Sequence, residues 1–166
     1  MNNFPIQLIT MFGIGRISKM PGTIASFVTC IFYFLCIIFG VHIKFLLIAF
    51  LVILVSSIIF INKCSSNFTE IDAKEIVIDE FLGQSIPIIL YETFHPYRAN
   101  TMLETLQIYF WFFLLFRLFD GLKPFPIDYI DRKYKNTFGI LFDDILAGFY
   151  VVICLVLFMV GKTFFN

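Results

Sequence analysis

The sequence predicts an all-α, polytopic membrane bundle with about five membrane-embedded helices. Of the 166 residues, 60% are hydrophobic and 24 are Phe, whereas only 14% are charged. A soluble domain is about half apolar and places its apolar residues in stripes. Here they form long uninterrupted runs, and the mean hydropathy is +0.91. We therefore expect one domain over residues 1–166 whose solvent is lipid.

Four apolar runs approach the length of about 20 residues that a membrane-spanning helix requires. They are Ile24–Val41, Lys44–Ile61, Glu104–Phe119 and Phe142–Gly161. The short link between the first two predicts an antiparallel hairpin. A fifth segment, Phe81–Tyr91, is shorter and contains glycine, glutamine and proline. Its length alone fits a re-entrant helix as well as a crossing.

The distribution of charge favours a crossing at this fifth segment. If it crosses, the polar ranges 1–23, 62–80 and 117–142 lie on one side of the membrane. Nine of the 12 Lys and Arg residues and eight of the 12 acids then fall within these ranges. Asp143 and Asp144 directly follow the last range, so ten acids are assigned to that side. By the positive-inside rule this side is cytoplasmic.

Several function classes are excluded by composition and by missing motifs. The formal net charge is zero, so we expect no nucleic-acid partner. The four cysteines have no CxxC spacing, which predicts neither a disulfide framework nor a zinc site. His42 and His95 fall on the opposite predicted side from most of the acids, and no GxxxxGK[ST] nucleotide loop is present. We also expect no cleaved signal peptide.

Four polar stretches end apolar helices on the predicted cytoplasmic side. They are GIGRISKMPGTIAS (13–26), VIDEFLG (77–83), FRLFDGLKPFPIDYIDR (116–132) and GILFDDILAG (139–148). We expect them to converge into a single pocket at the lipid boundary.

The acids of these stretches predict a magnesium site, since clustered carboxylates at a lipid boundary are costly unless paired or metal-bound. Hard oxygen ligands suit Mg²⁺. The candidate ligands are Asp79, Glu80, Asp120, Asp143 and Asp144. Helical neighbours point about 100° apart, so one member of each adjacent pair can bind metal while the other faces a base or water. Alternatively, Asp143 caps its helix.

The third stretch adds cations at helical spacing. Arg117, Asp120 and Lys123 share one face if the helix continues that far, and the two cations would stabilise phosphoryl charge. Alternatively, the three residues form ordinary ion pairs along the helix surface, and Arg117 extends its charged group to the membrane interface. Pro124 and Pro126 are expected to end the helix and hold the chain extended. An interfacial amphipathic segment is expected at 128–135.

The first stretch, SKMPGTIAS, has the pattern of a helix start, with Thr23 as the expected N-cap. Exposed N–H groups at such a terminus bind anions, which makes Lys19, Thr23 and Ser26 candidates for phosphate binding. Together these residues indicate metal-dependent phosphoryl chemistry on a lipid with a phosphorylated head.

The four stretches resemble, in order and spacing, the blocks of the bacterial phosphatidylglycerophosphatase A family. These blocks are PGT-x-G-S, DE-x-x-G, FR-x-x-D-x-x-KP-x-PI-x-x-x-DR and G-x-x-x-DD-x-x-AG, and the resemblance covers about residues 13–150. Two departures stand out. Ala25 replaces the second Gly of the first block, and Gln84 and Ser85 follow Gly83.

The resemblance implies a multi-pass Mg²⁺-dependent phosphatase of the bacterial inner membrane. It would convert phosphatidylglycerophosphate to phosphatidylglycerol and phosphate, ahead of cardiolipin, with membrane lipids as its other partners; association into a homo-oligomer is left open. The implied catalytic residues are Asp79, Glu80, Arg117, Asp120, Lys123, Asp143 and Asp144, and the phosphate-binding candidates are Lys19, Thr23, Ser26, Arg117, Lys123 and Arg132.

Two rival functions remain. A CDP-alcohol phosphotransferase would need DG-x-x-AR and acids four residues apart, whereas Gly121 is followed by Leu-Lys-Pro and the later acids are adjacent. A small cation or proton transporter would need acids near the middle of the bilayer with access from both sides.

Overall fold

A computed structural model of the chain describes residues 4–17, 19–64, 73–95, 101–134 and 136–165, with side chains as far as residue 161. Regular structure within these ranges is entirely helical. The helices are α1 Phe4–Ile9, α2 Ile14–Ile17, α3 Pro21–Ile38, α4 Ile43–Cys64, α5 Ile78–Phe94, α6 Met102–Leu122, α7 Ile127–Lys133 and α8 Thr137–Phe165. Four of them, α3, α4, α6 and α8, are long and apolar enough to cross a membrane. The prediction of an all-α membrane bundle is confirmed.

The fifth embedded helix, α5, is the centre of the bundle. Of its 17 residues, 13 are buried, and it packs against α3, α4, α6 and α8. Its beginning lies against Asp144, and its end shares a cavity with Met159 and Val160 of α8. Because it runs alongside α8 for its whole length, α5 passes through the bundle and does not fold back. At about 1.5 Å per residue it is about 25 Å long.

Glycines allow α5 and α8 to pack backbone against backbone. A Cβ on Gly83 would lie 2.5 Å from the carbonyl oxygen of Asp144, and a Cβ on Gly148 would collide with the carbonyl oxygen of Gly83. Small residues permit such close approach between helices in lipid. The contact fixes Asp144 beside the first turns of α5.

Two helix starts differ from the prediction. Helix α3 begins at Pro21 with Met20 as N-cap, so the assignment of Thr23 as N-cap is wrong, and Thr23 lies inside the first turn. The fixed φ of proline favours the first helical position, which moves the start forward. Helix α8 begins at Thr137, six residues before Asp143, so Asp143 is not a cap.

The end of α6 also differs from the prediction. The helix stops at Leu122, and Lys123 adopts a left-handed conformation with φ 43°. The two prolines then form a turn that leads into α7, so the expected extended chain is wrong. The segment predicted at 128–135 forms α7 as far as Lys133, and residue 135 lies outside the described residues.

We predict that Gly148→Ala destabilises the bundle by about 1–3 kcal/mol, because the added methyl group overpacks the contact between α5 and α8. Thermal unfolding in detergent measures the loss. The matched control is Gly161→Ala in the same helix, where a Cβ meets nothing within 4 Å. Equal transition temperatures for both variants would contradict the close packing.

Candidate active site

Three carboxylates from three helices meet at one end of the bundle. Glu80 of α5, Asp120 of α6 and Asp144 of α8 each offer an oxygen, and these oxygens all lie within 4.8 Å of one another. We call these residues the carboxylate triad. Asp144 is buried, and the side chains of Glu80 and Asp120 are 13% and 18% exposed. Three of the five acids predicted as metal ligands are therefore brought together.

Arg117 is the cation that faces the triad. Its Nη1 lies 2.6 Å from Oε2 of Glu80 and 3.1 Å from Oδ2 of Asp120. Ser26 Oγ lies 3.0 Å from the same Glu80 oxygen and 2.9 Å from the carbonyl oxygen of Gly22, so it can donate its proton to either. These contacts tie the first turns of α3 to α5 and α6.

Gly22 is a site residue that the sequence analysis missed. A Cβ at this position would collide with the Glu80 carboxylate and come within 3.4 Å of Arg117 Nη1. Glycine therefore allows the beginning of α3 to lie directly against the Glu80–Arg117 pair. The Pro-Gly dipeptide was the available signal, but on sequence it indicates only a helix start.

The two remaining acids, Asp79 and Asp143, turn away from the triad in the same manner. Asp79 Oδ1 accepts a hydrogen bond from the backbone N–H of Glu80 at 3.0 Å. Asp143 Oδ1 accepts one from the N–H of Asp144, also at 3.0 Å. In each adjacent pair one carboxylate enters the triad and the other binds the backbone, as the 100° helical rotation predicts.

Lys123 forms a second charged cluster beside the triad. Its Nζ lies 3.1 Å from Asp143 Oδ2 and 3.2 Å from Asp131 Oδ1. Because α6 ends before Lys123, this side chain pairs with α7 and α8 and not with Asp120. The expected common face is thus correct for Arg117 and Asp120 alone. Asp131, the partner on α7, was missed because only tertiary structure brings it to Lys123.

These contacts keep Lys123 charged. Burial by itself lowers the pKa of the ammonium group, but the charges of Asp143 and Asp131 and their hydrogen bonds outweigh burial and raise the pKa. Lys123 is therefore a permanent cation at neutral pH.

Among the described residues, the other phosphate-binding candidates make no hydrogen bond or ion pair with the triad. Thr23 is half-buried in the first turn of α3, and Lys19 is exposed before that helix. Arg132 pairs with Asp128 at 2.7 Å on α7, and its side chain is 78% exposed. Of the six candidates, Ser26 and Arg117 contact the triad directly, and Lys123 contacts the adjoining Asp143.

The three residues that depart from the family pattern are all buried. Ala25 lies within α3 and not at a turn, with no exposed surface. Ser85 donates to the carbonyl oxygen of Phe81 at 2.6 Å. The amide of Gln84 has no hydrogen-bond partner among the described residues. All three side chains belong to the bundle interior.

The donor set of the triad fits a divalent cation. When ionised, three carboxylates face one guanidinium, which leaves two negative charges uncompensated in a mostly buried cluster. Oxygen ligands of this kind suit Mg²⁺, which is held by carboxylates together with water or phosphate oxygens. Like charges so close together are otherwise costly.

Comparison with known proteins identifies similar chains. The family model described as phosphatidylglycerophosphatase A matches residues 7–159. A phosphatidylglycerophosphatase A of Haemophilus influenzae is 37% identical over 151 residues, covering 90% of this chain and 85% of the relative. The Escherichia coli protein of the same name is 28% identical over 153 residues, covering 90% and 79%. A Bacteroides thetaiotaomicron protein, provisionally named a phosphatidylinositol-3-phosphatase, is 30% identical over 154 residues, covering 88% and 87%. No solved structure matches significantly.

We predict that Asp131→Asn loosens α7, because the substitution removes one of the two charges that hold Lys123. Limited proteolysis of the protein in detergent should then cut faster around residues 127–133. Asp128→Asn is the matched control, since Asp128 pairs only with the exposed Arg132 among the described residues. Equal cleavage rates in the two variants would contradict the role of Lys123 in holding α7.

Proposed function

The chain belongs to the phosphatidylglycerophosphatase A family and is a membrane phosphatase, and from this premise we propose that it hydrolyses phosphatidylglycerophosphate. The terminal phosphomonoester is cleaved, giving phosphatidylglycerol and inorganic phosphate. The reaction depends on Mg²⁺, takes place at the cytoplasmic face of a bacterial inner membrane, and supplies the precursor of cardiolipin. The charge distribution of the sequence supports that orientation.

The observation that carries the proposal is the convergence of three carboxylates beside a single guanidinium. Glu80, Asp120 and Asp144 would hold Mg²⁺ at the end of the bundle. When bound, Mg²⁺ polarises a phosphoryl group and favours attack by water. In this proposal the phosphate of the lipid lies at the triad.

Cationic and hydroxyl donors around the triad would bind the phosphate oxygens. Lys123 has three N–H donors, and Asp131 and Asp143 accept two of them; the third can reach a phosphate oxygen. Arg117 has five donors, and its contacts with Glu80 and Asp120 involve Nη1 alone. Ser26 Oγ can turn its proton from Glu80 to the substrate. Charge that develops on the phosphoryl oxygens is stabilised by such preorganised donors.

The acids outside the triad would handle the proton of the attacking water. Asp79 and Asp143 directly precede triad residues in the chain, and Asp143 also contacts Lys123 through its Oδ2 atom. Such a carboxylate can act as a general base if it lies within hydrogen-bond reach of the water. Lys19, Thr23 and Arg132 are then left to contact the rest of the headgroup.

Substrate hydrolysis by the purified protein in detergent tests this function. We expect phosphate release to be fastest from phosphatidylglycerophosphate and slower from phosphatidic acid and phosphatidylinositol 3-phosphate. The last lipid is the informative competitor because the Bacteroides relative carries its name. EDTA should abolish release and added Mg²⁺ should restore it. A preference for phosphatidylinositol 3-phosphate would contradict the proposed substrate. Activity in EDTA would contradict the proposed dependence on Mg²⁺.

Two variants extend the same assay to the triad. Asp120→Asn and Asp144→Asn should each lower kcat on the order of 100-fold or more, because loss of a ligand weakens the metal site. His95→Ala, at the far end of α5, is the control and should leave the rate within about twofold. Unfolding temperatures verify that the variants fold. A large loss in His95→Ala would mean that the site lies at the other end of the bundle.

A further inference from the structure

A groove runs between α3 and α6 below the carboxylate triad, and we call it the α3–α6 groove. Each of the two helices contributes four residues to its lining, and its volume is about 180 Å³. The floor consists of the buried side chains of Cys30, Phe34 and Tyr109. The only polar atom of Tyr109's side chain points inward, where its hydroxyl donates to Glu92 of α5 at 2.9 Å. The floor that faces outward is therefore apolar.

The rim of the α3–α6 groove is exposed. Ile31 is 42% exposed, Leu106 43% and Phe110 56%. In a bundle whose surrounding solvent is lipid, an apolar trough with a buried floor and an exposed rim opens sideways to the acyl chains of the membrane. The groove is thus accessible to lipid without any movement of the helices.

The upper end of the α3–α6 groove adjoins the site. Phe27, on its α3 wall, directly follows Ser26, and Phe113, on its α6 wall, lies one helical turn from Arg117. The two rings contact each other with centroids 5.9 Å apart. Leu106 lies eleven residues before Arg117. At 1.5 Å per residue, the two are about 16 Å apart along the axis of α6. Along both helices the groove therefore begins within about one helical turn of Ser26 and Arg117 and extends toward the opposite end of the bundle.

Two other described cavities lack this connection. The one between α5 and α8 is lined by His95 and Val156 and lies at the end of the bundle away from the triad. The one between α4 and α8 is lined in part by the polar residues Asn62, Asn136 and Thr137. Only the α3–α6 groove, of these three, is apolar and formed by the two helices that carry Ser26 and Arg117.

We propose that the α3–α6 groove binds one acyl chain of the lipid substrate while its phosphate lies at the carboxylate triad. This inference rests on the proposed function and adds to it a determinant of chain length. The acyl chain enters the groove from the lipid bilayer and not from water. The groove therefore acts by packing and orientation and not by the hydrophobic effect. Because the acyl chain occupies the groove both before and during the reaction, we expect its binding energy to affect KM and not kcat.

Leu106→Trp tests the inference by filling the far end of the α3–α6 groove. The substrates are dioleoyl and dihexanoyl phosphatidylglycerophosphate at equal mole fraction in the same detergent micelles. We expect the KM for the dioleoyl lipid to rise about five- to tenfold with kcat unchanged. The six-carbon chains extend less far along the groove, so the KM for the dihexanoyl lipid should stay within about twofold.

Val156→Trp is the matched control, because it places the same side chain in the α5–α8 cavity at a position that is 51% exposed. It should change neither KM. If Leu106→Trp fails to fold, as judged by thermal unfolding, Ile31→Trp on the opposite rim makes the same test.

The contrary results are distinct. Equal losses for both chain lengths, an equal effect of Val156→Trp, or an unchanged dioleoyl KM would each overturn the acyl-chain assignment. A second copy of the chain seated on the groove would instead change the mass of the Leu106→Trp protein in detergent and affect both lipids alike. If the unmodified protein released phosphate from neither lipid, the proposed function itself would fail.

Discussion

The ion pair between Arg117 and Glu80 is the contact on which the site depends. It joins α6 to α5 at 2.6 Å in a mostly buried position, and Ser26 adds α3 through the same Glu80 oxygen. A carboxylate at an apolar boundary is costly unless it is paired. Arg117 supplies the opposite charge to Glu80 there and also contacts Asp120 of its own helix. Loss of Arg117 would leave Glu80 without its cationic partner, and loss of Glu80 would remove the contacts that join α5 to α6 and α3 at this point.

Close packing of backbones brings the other charges to this pair. Gly22 lets α3 approach Glu80, and the contact between Gly83 and Gly148 holds α8 against α5. Asp144 consequently enters the triad while its neighbour Asp143 turns toward Lys123. The adjacent acids thus link two clusters. In the triad, three carboxylates face one guanidinium, and a metal can balance the excess negative charge when they are ionised. In the other cluster, Lys123 keeps its positive charge.

Most of the fold and the convergence of three of the acids could be predicted from the sequence, because long apolar runs and charges at their ends follow from the membrane itself. Helical rotation also predicted that one member of each acid pair would be separated from the other. The positions where helices begin and end could not be predicted as well from the sequence. Pro21 moved the start of α3 and excluded Thr23 as a cap, and the left-handed Lys123 turned its side chain to Asp131. Such contacts depend on how the chain turns after each helix, which local pattern does not determine.

Direct measurement of metal binding tests the central claim that the carboxylate triad holds a divalent cation. Mn²⁺ can replace Mg²⁺ at oxygen ligands, and its electron paramagnetic resonance signal distinguishes free from bound ion without any substrate. We expect saturable Mn²⁺ binding that Mg²⁺ displaces and that Asp144→Asn weakens by at least about tenfold. Undiminished binding in Asp144→Asn, or no saturable binding to the folded protein, would contradict it.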